Sequence, residues 1–300
     1  MKKDKTHIHW YPGHIAKAEK KLKEQLSLVD AVIEVVDARL PISSCYDNIS
    51  GLLNGKPRFL LVNKSDLVDK NLLKPYIEEL KKRFEIPVIV TEAKNNKDIN
   101  TIVKKAIELS EPRIQALMAK GLLRRPARIM VVGLPNVGKS SIINKLTRSS
   151  KTKIGAKAGV TRQQQWVRIN PQLELLDTPG IIPMKQEDQE RAKKLAFVNS
   201  VSENAYSNEI VAEELLSMLD EKQAKVFREY YKLPEEIELN IDNISITRNW
   251  LLTGGSTDRE RTSVYILRDF REGKIGKFIL DNLEKIIYYS RHIQTSQSHI

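Results

Sequence analysis

The stretch VVGLPNVGKSSI, from Val131 to Ile142, decides the fold. Within it, Gly133-Leu-Pro-Asn-Val-Gly138-Lys139-Ser140 fits the G-x-x-x-x-G-K-S pattern of a phosphate-binding loop. The apolar run ARIMVV precedes it and KSSIINKLT, a helix-forming run, follows. That strand-to-helix setting is the one the pattern requires. Glycines let the backbone wrap phosphates, with N–H groups and a helix N-terminus facing negative charge. Candidate phosphate contacts are Pro135, Asn136, Val137, Gly138, Lys139, Ser140 and Ser141. Lys139 would reach the outer phosphates and Ser140 would ligate Mg²⁺.

Downstream, Asp177-Thr-Pro-Gly180 follows the strand-like LELL. Asp177 would hold Mg²⁺ through water, and the Gly180 N–H would meet the γ-phosphate. Between the two motifs lies Gly159-Val160-Thr161, whose threonine is the candidate sensor of Mg²⁺ and γ-phosphate. Upstream, FLLVNKSDLVDK from Phe59 to Lys70 contains Asn63-Lys64-Ser65-Asp66. A carboxylate such as that of Asp66 accepts from both the ring N–H and the exocyclic amine of guanine. Adenine offers neither, and an unmade pair in a desolvated pocket is costly. Asn63 would brace this loop and the Lys64 stem would lie over the base. Thr91-Glu92-Ala93-Lys94 ends the next apolar run and supplies a further base loop, with Glu92 and Ala93 as contacts.

Base-reading loops therefore precede phosphate loops, the reverse of an ordinary guanine-nucleotide domain. The domain has been cut and rejoined, with Asn95–Arg128 as the joining segment. Neighbouring domain termini make such permutation easy. Apolar runs at Asp30–Pro41, PRFLLVNKSD, IPVIVTEAK, ARIMVVG, QQWVRI and LELL alternate with helical spacing at Asn71–Phe84 and Asp98–Leu109. This pattern predicts an α/β fold with a mostly parallel sheet, its ligands at the carboxyl ends of the strands. Beyond Gln186 the spacing turns helical in QERAKKLAFVNSV, IVAEELLSMLDEKQAKVFREYYKL and DRERTSVYILRDFREGKIGKFIL. The expected layout is a circularly permuted P-loop G domain over residues 1–184, a small all-α domain over 185–281 and a tail over 282–300.

The ordered motifs HWYPGHIAKA, VVDARLP, NKSD, GLPNVGKSS, GVTRQQQW, LELLDTPGI, YYKL, LLTGG and DFREGKIGK resemble the bacterial ribosome-biogenesis GTPase A family, over about nine tenths of the chain. The resemblance implies GTP hydrolysis coupled to late assembly of the large ribosomal subunit, with a helical domain that contacts RNA. It also implies an asparagine, here Asn136, that helps bind K⁺. Glu92 stands where the family has serine. Ile181 occupies the place of the water-orienting glutamine of Ras-like enzymes and cannot hydrogen-bond a water, so turnover by the chain alone should be slow. Family resemblance nominates His14 as the catalytic group, with the ribosomal subunit as stimulator. Because Gly180 leads directly into the helical segment, loss of γ-phosphate contacts there is expected to act on that domain.

The net charge of +12 suits a polyanionic partner. From Pro112 to Leu173 there is no Asp or Glu, an unusual gap for a merely solvated face. Residues 1–180 carry 33 basic and 18 acidic side chains, against 17 and 20 in residues 181–300. Candidate RNA contacts are Lys151, Lys153 and Lys157, and in the helical segment Arg259, Arg261, Arg268, Arg271, Lys274 and Lys277. Expected partners are GTP, GDP and the large-subunit precursor with its rRNA and proteins, with a monomeric chain and no membrane. A single cysteine, Cys45, and no secretory signal or long apolar run lead us to expect a cytoplasmic protein. Other readings of the same residues are an RNA-binding assembly scaffold with a structural nucleotide pocket, or a GTPase acting on tRNA or the small subunit.

Overall fold

Strand β1 (Ala31–Asp37) is buried at all seven positions and β2 (Arg58–Asn63) at all six. Strands without polar alternation have both faces covered, which places them inside a parallel sheet. The computed structural model, which describes residues 12–46, 49–92, 98–148, 166–177, 180–181 and 188–284, has this arrangement. With β3 (Val88–Val90), β4 (Ala127–Gly133), β5 (Trp166–Asn170) and β6 (Leu173–Leu176), the strand order is β3-β2-β1-β4-β6-β5. Only β5 runs antiparallel, to β6. A two-residue strand, β7 (Gly180–Ile181), pairs with Val132 and Gly133, continuing the line of β6 along β4.

Parallel pairing gathers the strand ends that carry the motifs. Asp37 is opposite Asn63, Val62 is opposite Val90, and Glu34 is opposite Val132, one residue before Gly133. The base half (β1–β3) and the phosphate half (β4–β7) thus meet at the β1–β4 seam. Crossing from one to the other is α4 (Ile99–Met118), whose buried stripe is Ile99, Ile102, Ala106, Ser110 and Ile114. Its predicted end at Leu109 is corrected: the helix continues through Pro112. Ser110 Oγ donates to the Ala106 carbonyl at 2.8 Å, and Ile114 keeps the stripe buried beyond the proline. The remaining helices of this half are α1 (Pro12–Leu26), α2 (Ile49–Leu53), α3 (Lys70–Phe84) and α5 (Lys139–Arg148).

The rest is helical: α6 (Gln189–Phe197), α7 (Asn208–Ser217), α8 (Glu221–Tyr231), α9 (Ile241–Thr247) and α10 (Arg259–Arg271). What reads as one helical run, IVAEELLSMLDEKQAKVFREYYKL, is two helices. Asp220 breaks it by capping α8, with Gln223 returning the bond to its N–H. Residues 272–282, which follow α10, are not helical. Gly273 lies at φ +74, and the Phe278 ring stacks on Phe270 and packs tilted against Phe227. One cluster of buried apolar side chains runs from the sheet into these helices, from Leu22 and Val131 to Phe227 and Leu280. Asp281, at the expected end of the helical domain, reaches back into the sheet half and accepts from the Ile42 and Ser43 N–H groups at 2.8 and 2.9 Å.

Glu34, buried in the middle of β1, is paired with Arg58 of β2 and accepts from the Tyr46 N–H at 3.0 Å. The Arg58 guanidinium also lies 4.8 Å from the Phe84 ring centre. Replacing Arg58 by Met would leave a carboxylate in the core without its cation. We expect a loss of about 3–5 kcal/mol, seen as a lower urea midpoint at unchanged slope.

Candidate functional site

Gly133 leaves β4 at φ +152, where a Cβ would sit 2.5 Å from the Val35 carbonyl oxygen. Asn136 follows in the left-handed region, and Gly138 has φ +102. A Cβ on Gly138 would lie 2.1 Å from Asn63 Nδ2, so only glycine lets the phosphate loop pass the base loop. Lys139 and Ser140 open α5, whose first N–H groups face the loop. Lys139 is 7% exposed and its ammonium donates to the Leu134 carbonyl at 2.6 Å. Burial alone lowers its pKa to about 8. A phosphate in this loop would supply the counter-charge that the surroundings lack.

The base loop is bonded directly to the phosphate loop. Asn63 Nδ2 donates to the Val137 carbonyl at 2.9 Å, and Lys64 Nζ to the Asn136 carbonyl at 2.6 Å. Lys64 takes the left-handed conformation at φ 63, and the next three residues form a 3-10 turn that holds Asp66 half-buried. Thr91 ties in the neighbouring base loop: its N–H donates to the Val62 carbonyl and its carbonyl accepts from the Ser65 N–H. The Glu92 carboxylate turns away to Lys70 at 2.9 Å. Its carbonyl instead accepts from Lys145 Nζ at 3.0 Å, and the same ammonium bonds Thr91 Oγ1 at 3.1 Å. Ala93 and Lys94 lie outside the described residues.

On the other flank, Asp177 stands exposed just past β6, near the level of the phosphate loop on β4. Gly180 is buried: a Cβ there would lie 2.8 Å from Leu22 of α1 and equally close to Met130 and Val132. The switch strand therefore packs on α1, whose first turn holds His14; the His14 side chain lies outside the described residues, as do Thr161, Lys151, Lys153 and Lys157. Ser140, Ser141 and Asp177 are exposed oxygen donors of the kind Mg²⁺ takes alongside phosphate oxygens. Among the described residues no cluster of three His, Cys, Asp or Glu forms a self-sufficient metal site. Asn136 Nδ2 donates to the Asn199 carbonyl at 2.7 Å, leaving Oδ1 as the atom a cation would need.

Two features escaped the sequence reading. Asp37, fully buried at the end of β1, takes a bidentate grip from Arg39 at 3.0 and 2.8 Å and an ion pair from Lys64 at 2.8 Å. Burial pushes its pKa up, but the two cations outweigh it and hold the carboxyl well below the usual range. The signal was available as D-A-R at the tip of a wholly apolar strand. Lys145, which lies in the acid-free stretch, is buried, and desolvation lowers its pKa against the pull of Asp98 and Glu92.

The acid-free stretch is also less of a free basic surface than its composition suggests. Arg124 pairs with Glu111, Arg125 with Asp30 and Arg128 with Glu174, all carboxylates outside the stretch, while Lys139 and Lys145 are buried. In the helical segment, Arg259 is committed to Glu209, Glu213 and Asp242. Arg271 is likewise spent on Glu203, Tyr206 and the Phe197 and Ala196 carbonyls. Arg261 and Arg268 are exposed, their guanidiniums 5.8 and 4.2 Å from the Tyr265 ring centre, which stacks on Trp250 at 4.6 Å. Lys274 pairs with Glu272 and Asp269, and Lys277 is exposed.

A family model described as 50S ribosome-binding GTPase matches residues 128–244, beginning beyond the base loops. Ribosome biogenesis GTPase A of Bacillus cereus is 37% identical over 281 residues, covering 93% of this chain and 95% of the relative. Mitochondrial ribosome-associated GTPase 1 of Mus musculus is 34% identical over 295 residues, covering 91% and 89%. A GDP-bound structure of YlqF superposes with TM-score 0.61 at 27% identity, covering 88% of this chain and 99% of that one. A GNP-bound YlqF from T. maritima gives 0.57 at 25%, covering 89% and 98%.

With Lys139 titrating near pH 8 in the free protein, nucleotide binding above that pH must restore its proton. Affinity for a nucleoside diphosphate should therefore be level through neutral pH. Above about pH 8 it should fall by up to about tenfold per pH unit. Calorimetry at about pH 9 in two buffers of different ionisation enthalpy should show proton uptake on binding.

Proposed function

The chain belongs to the ribosome biogenesis GTPase A family, and from that premise we propose that it docks on the precursor of the large ribosomal subunit and leaves it after hydrolysing GTP. That it is a GTP-binding GTPase of ribosome assembly follows from the family. The carrying observation is the joining of the two loops: Asn63 and Lys64 are bonded to the Val137 and Asn136 carbonyls. Base reading and phosphate binding then belong to one pocket despite their reversed order.

In this reading Asp66 accepts from the guanine ring N–H and amine, the Lys64 stem covers the base, and the Glu92–Ala93 backbone borders it. Pro135 to Ser141 cradle the phosphates, Lys139 neutralises them, and Gly180 meets the γ-phosphate. Ser140, Thr161 and Asp177 would hold Mg²⁺, which when bound offsets phosphate charge as the terminal bond breaks. Asn136 would hold K⁺ and so add positive charge without an arginine finger.

Ile181 cannot orient the attacking water, and the family resemblance gives that task to His14. Its helix supports the assignment: Leu22 packs on Gly180, and the eight helical steps from Leu22 back to His14 rise only about 12 Å. Hydrolysis is then slow in the isolated protein and stimulated when the subunit settles His14. RNA contact falls to Lys151, Lys153, Lys157, Arg261, Arg268, Lys274 and Lys277, whereas Arg259 and Arg271 serve the fold.

GTP turnover in potassium buffer, with and without purified large subunits, tests this directly. We expect stimulation of at least about tenfold; tight binding without stimulation would favour a scaffold. His14→Ala should lower the stimulated rate by about a hundredfold while leaving GTP affinity unchanged. Asp66→Asn should cost at least about a hundredfold in GDP affinity and shift preference to xanthosine nucleotides, measured by competition.

A further inference from the structure

The guanidinium of Arg39 has its N–H groups divided between two parts of the molecule. Nε and one terminal nitrogen hold Asp37, and the other terminal nitrogen donates to the Arg271 carbonyl at 3.2 Å. Arg271 is the last residue of α10, so the cation sits at the negative end of that helix. The guanidinium also lies 5.7 Å from the Phe270 ring centre, and the Arg39 carbonyl accepts from the Leu280 N–H at 2.9 Å. On its far side, Asp37 holds Lys64 at 2.8 Å. A chain of three buried or half-buried charges thus runs from the end of α10 to the lysine of the base loop.

A second contact reaches the same loop from the same place. Gly273, two residues past α10, lies so close to Leu67 that a Cβ on it would sit 2.7 Å from Leu67 Cδ2. Leu67 ends the 3-10 turn that carries Asp66. The helical segment therefore backs both side chains of the base loop, one through charge and the other through contact.

We propose that Arg39 and the C-terminal end of α10 are positioning elements for guanine recognition, so that base selectivity depends on how the helical domain docks. The inference rests on Lys64 and Asp66 being the base-contacting pair. The segment after Gly180 was expected to be a path between nucleotide and helical domain, and its residues 182–187 lie outside the described residues; the contacts of Arg39 and Leu67 add a second path, on the base side.

The test compares guanosine and inosine diphosphate, which differ only in the exocyclic amine that Asp66 would accept. Affinities are measured by calorimetry on the full chain with Mg²⁺ and K⁺. Arg39→Lys keeps a cation beside Asp37 but cannot hold it bidentately while also reaching the Arg271 carbonyl. Gly273→Val pushes on Leu67 from outside the nucleotide pocket. Both variants should weaken the guanosine nucleotide by about tenfold and the inosine nucleotide by less, so that the preference shrinks. Asp66→Asn is the reference. If it leaves the preference intact, the base-loop reading itself falls. If it abolishes the preference while the Arg39 and Gly273 variants keep the wild-type ratio, the inference is overturned and the base-loop reading stands. Parallel weakening of both nucleotides in those variants marks a role in the fold alone and also overturns it. Should one variant fail to fold, the other decides, since they act on different atoms.

Discussion

The amide of Asn63 donates to the Val137 carbonyl at 2.9 Å, bonding together two loops 74 residues apart. Three things make it possible. Parallel pairing sets Asp37 beside Asn63 and brings the end of β4 to the same edge of the sheet. Gly138 leaves the space that any Cβ would take from the Asn63 amide. Asn63 is buried, so water does not compete for its hydrogen bonds. Chain order enters none of these conditions. A sheet held together by register and packing tolerates new termini if the joining segment spans the old ones, as α4 does here.

Charge is used inside this protein more than its composition implies. Asp37, Glu34 and Asp281 are buried carboxylates, and each is met by a cation or by backbone N–H groups. Such groups give directional contacts where apolar packing would allow several poses. Asp37 illustrates the point, since its oxygens fix an arginine on one side and a lysine on the other. Removing either cation would leave a desolvated carboxylate partly unpaired, and that penalty holds the arrangement in place. The arginines of the acid-free stretch show the same economy, pairing with Asp30, Glu111 and Glu174 across sequence separations that composition cannot reveal.

The helical half is joined to the sheet half rather than tethered to it. Apolar side chains form one cluster across both, and Asp281, Arg191 and Arg39 make polar contacts over the same seam. Tyr76 adds a bond from α3 to the Asp281 carbonyl at 2.5 Å. The first three of these contacts fall on residues 39–43, in the loop that follows β1.

Local chemistry was legible from the chain alone. G-x-x-x-x-G-K-S, N-K-x-D and D-x-x-G each act through neighbours in sequence, and buried parallel strands announce themselves as unbroken apolar runs. Fold class and permutation followed from those stretches and their order, and the family from a resemblance that also took in HWYPGHIAKA, YYKL, LLTGG and DFREGKIGK. Helix ends were partly legible: Asp220 and Gln223 spell a cap, whereas the passage of α4 through Pro112 depended on the burial of Ile114. What only the tertiary structure decided was the partner of each charge. Lys145 looked like surface and is core; Arg271 looked like an RNA contact and holds α6; Asp37 drew no notice and anchors the base-loop lysine. Motifs are short-range and survive in one dimension. A salt bridge is made by whichever groups the fold brings within reach, and that is a property of three.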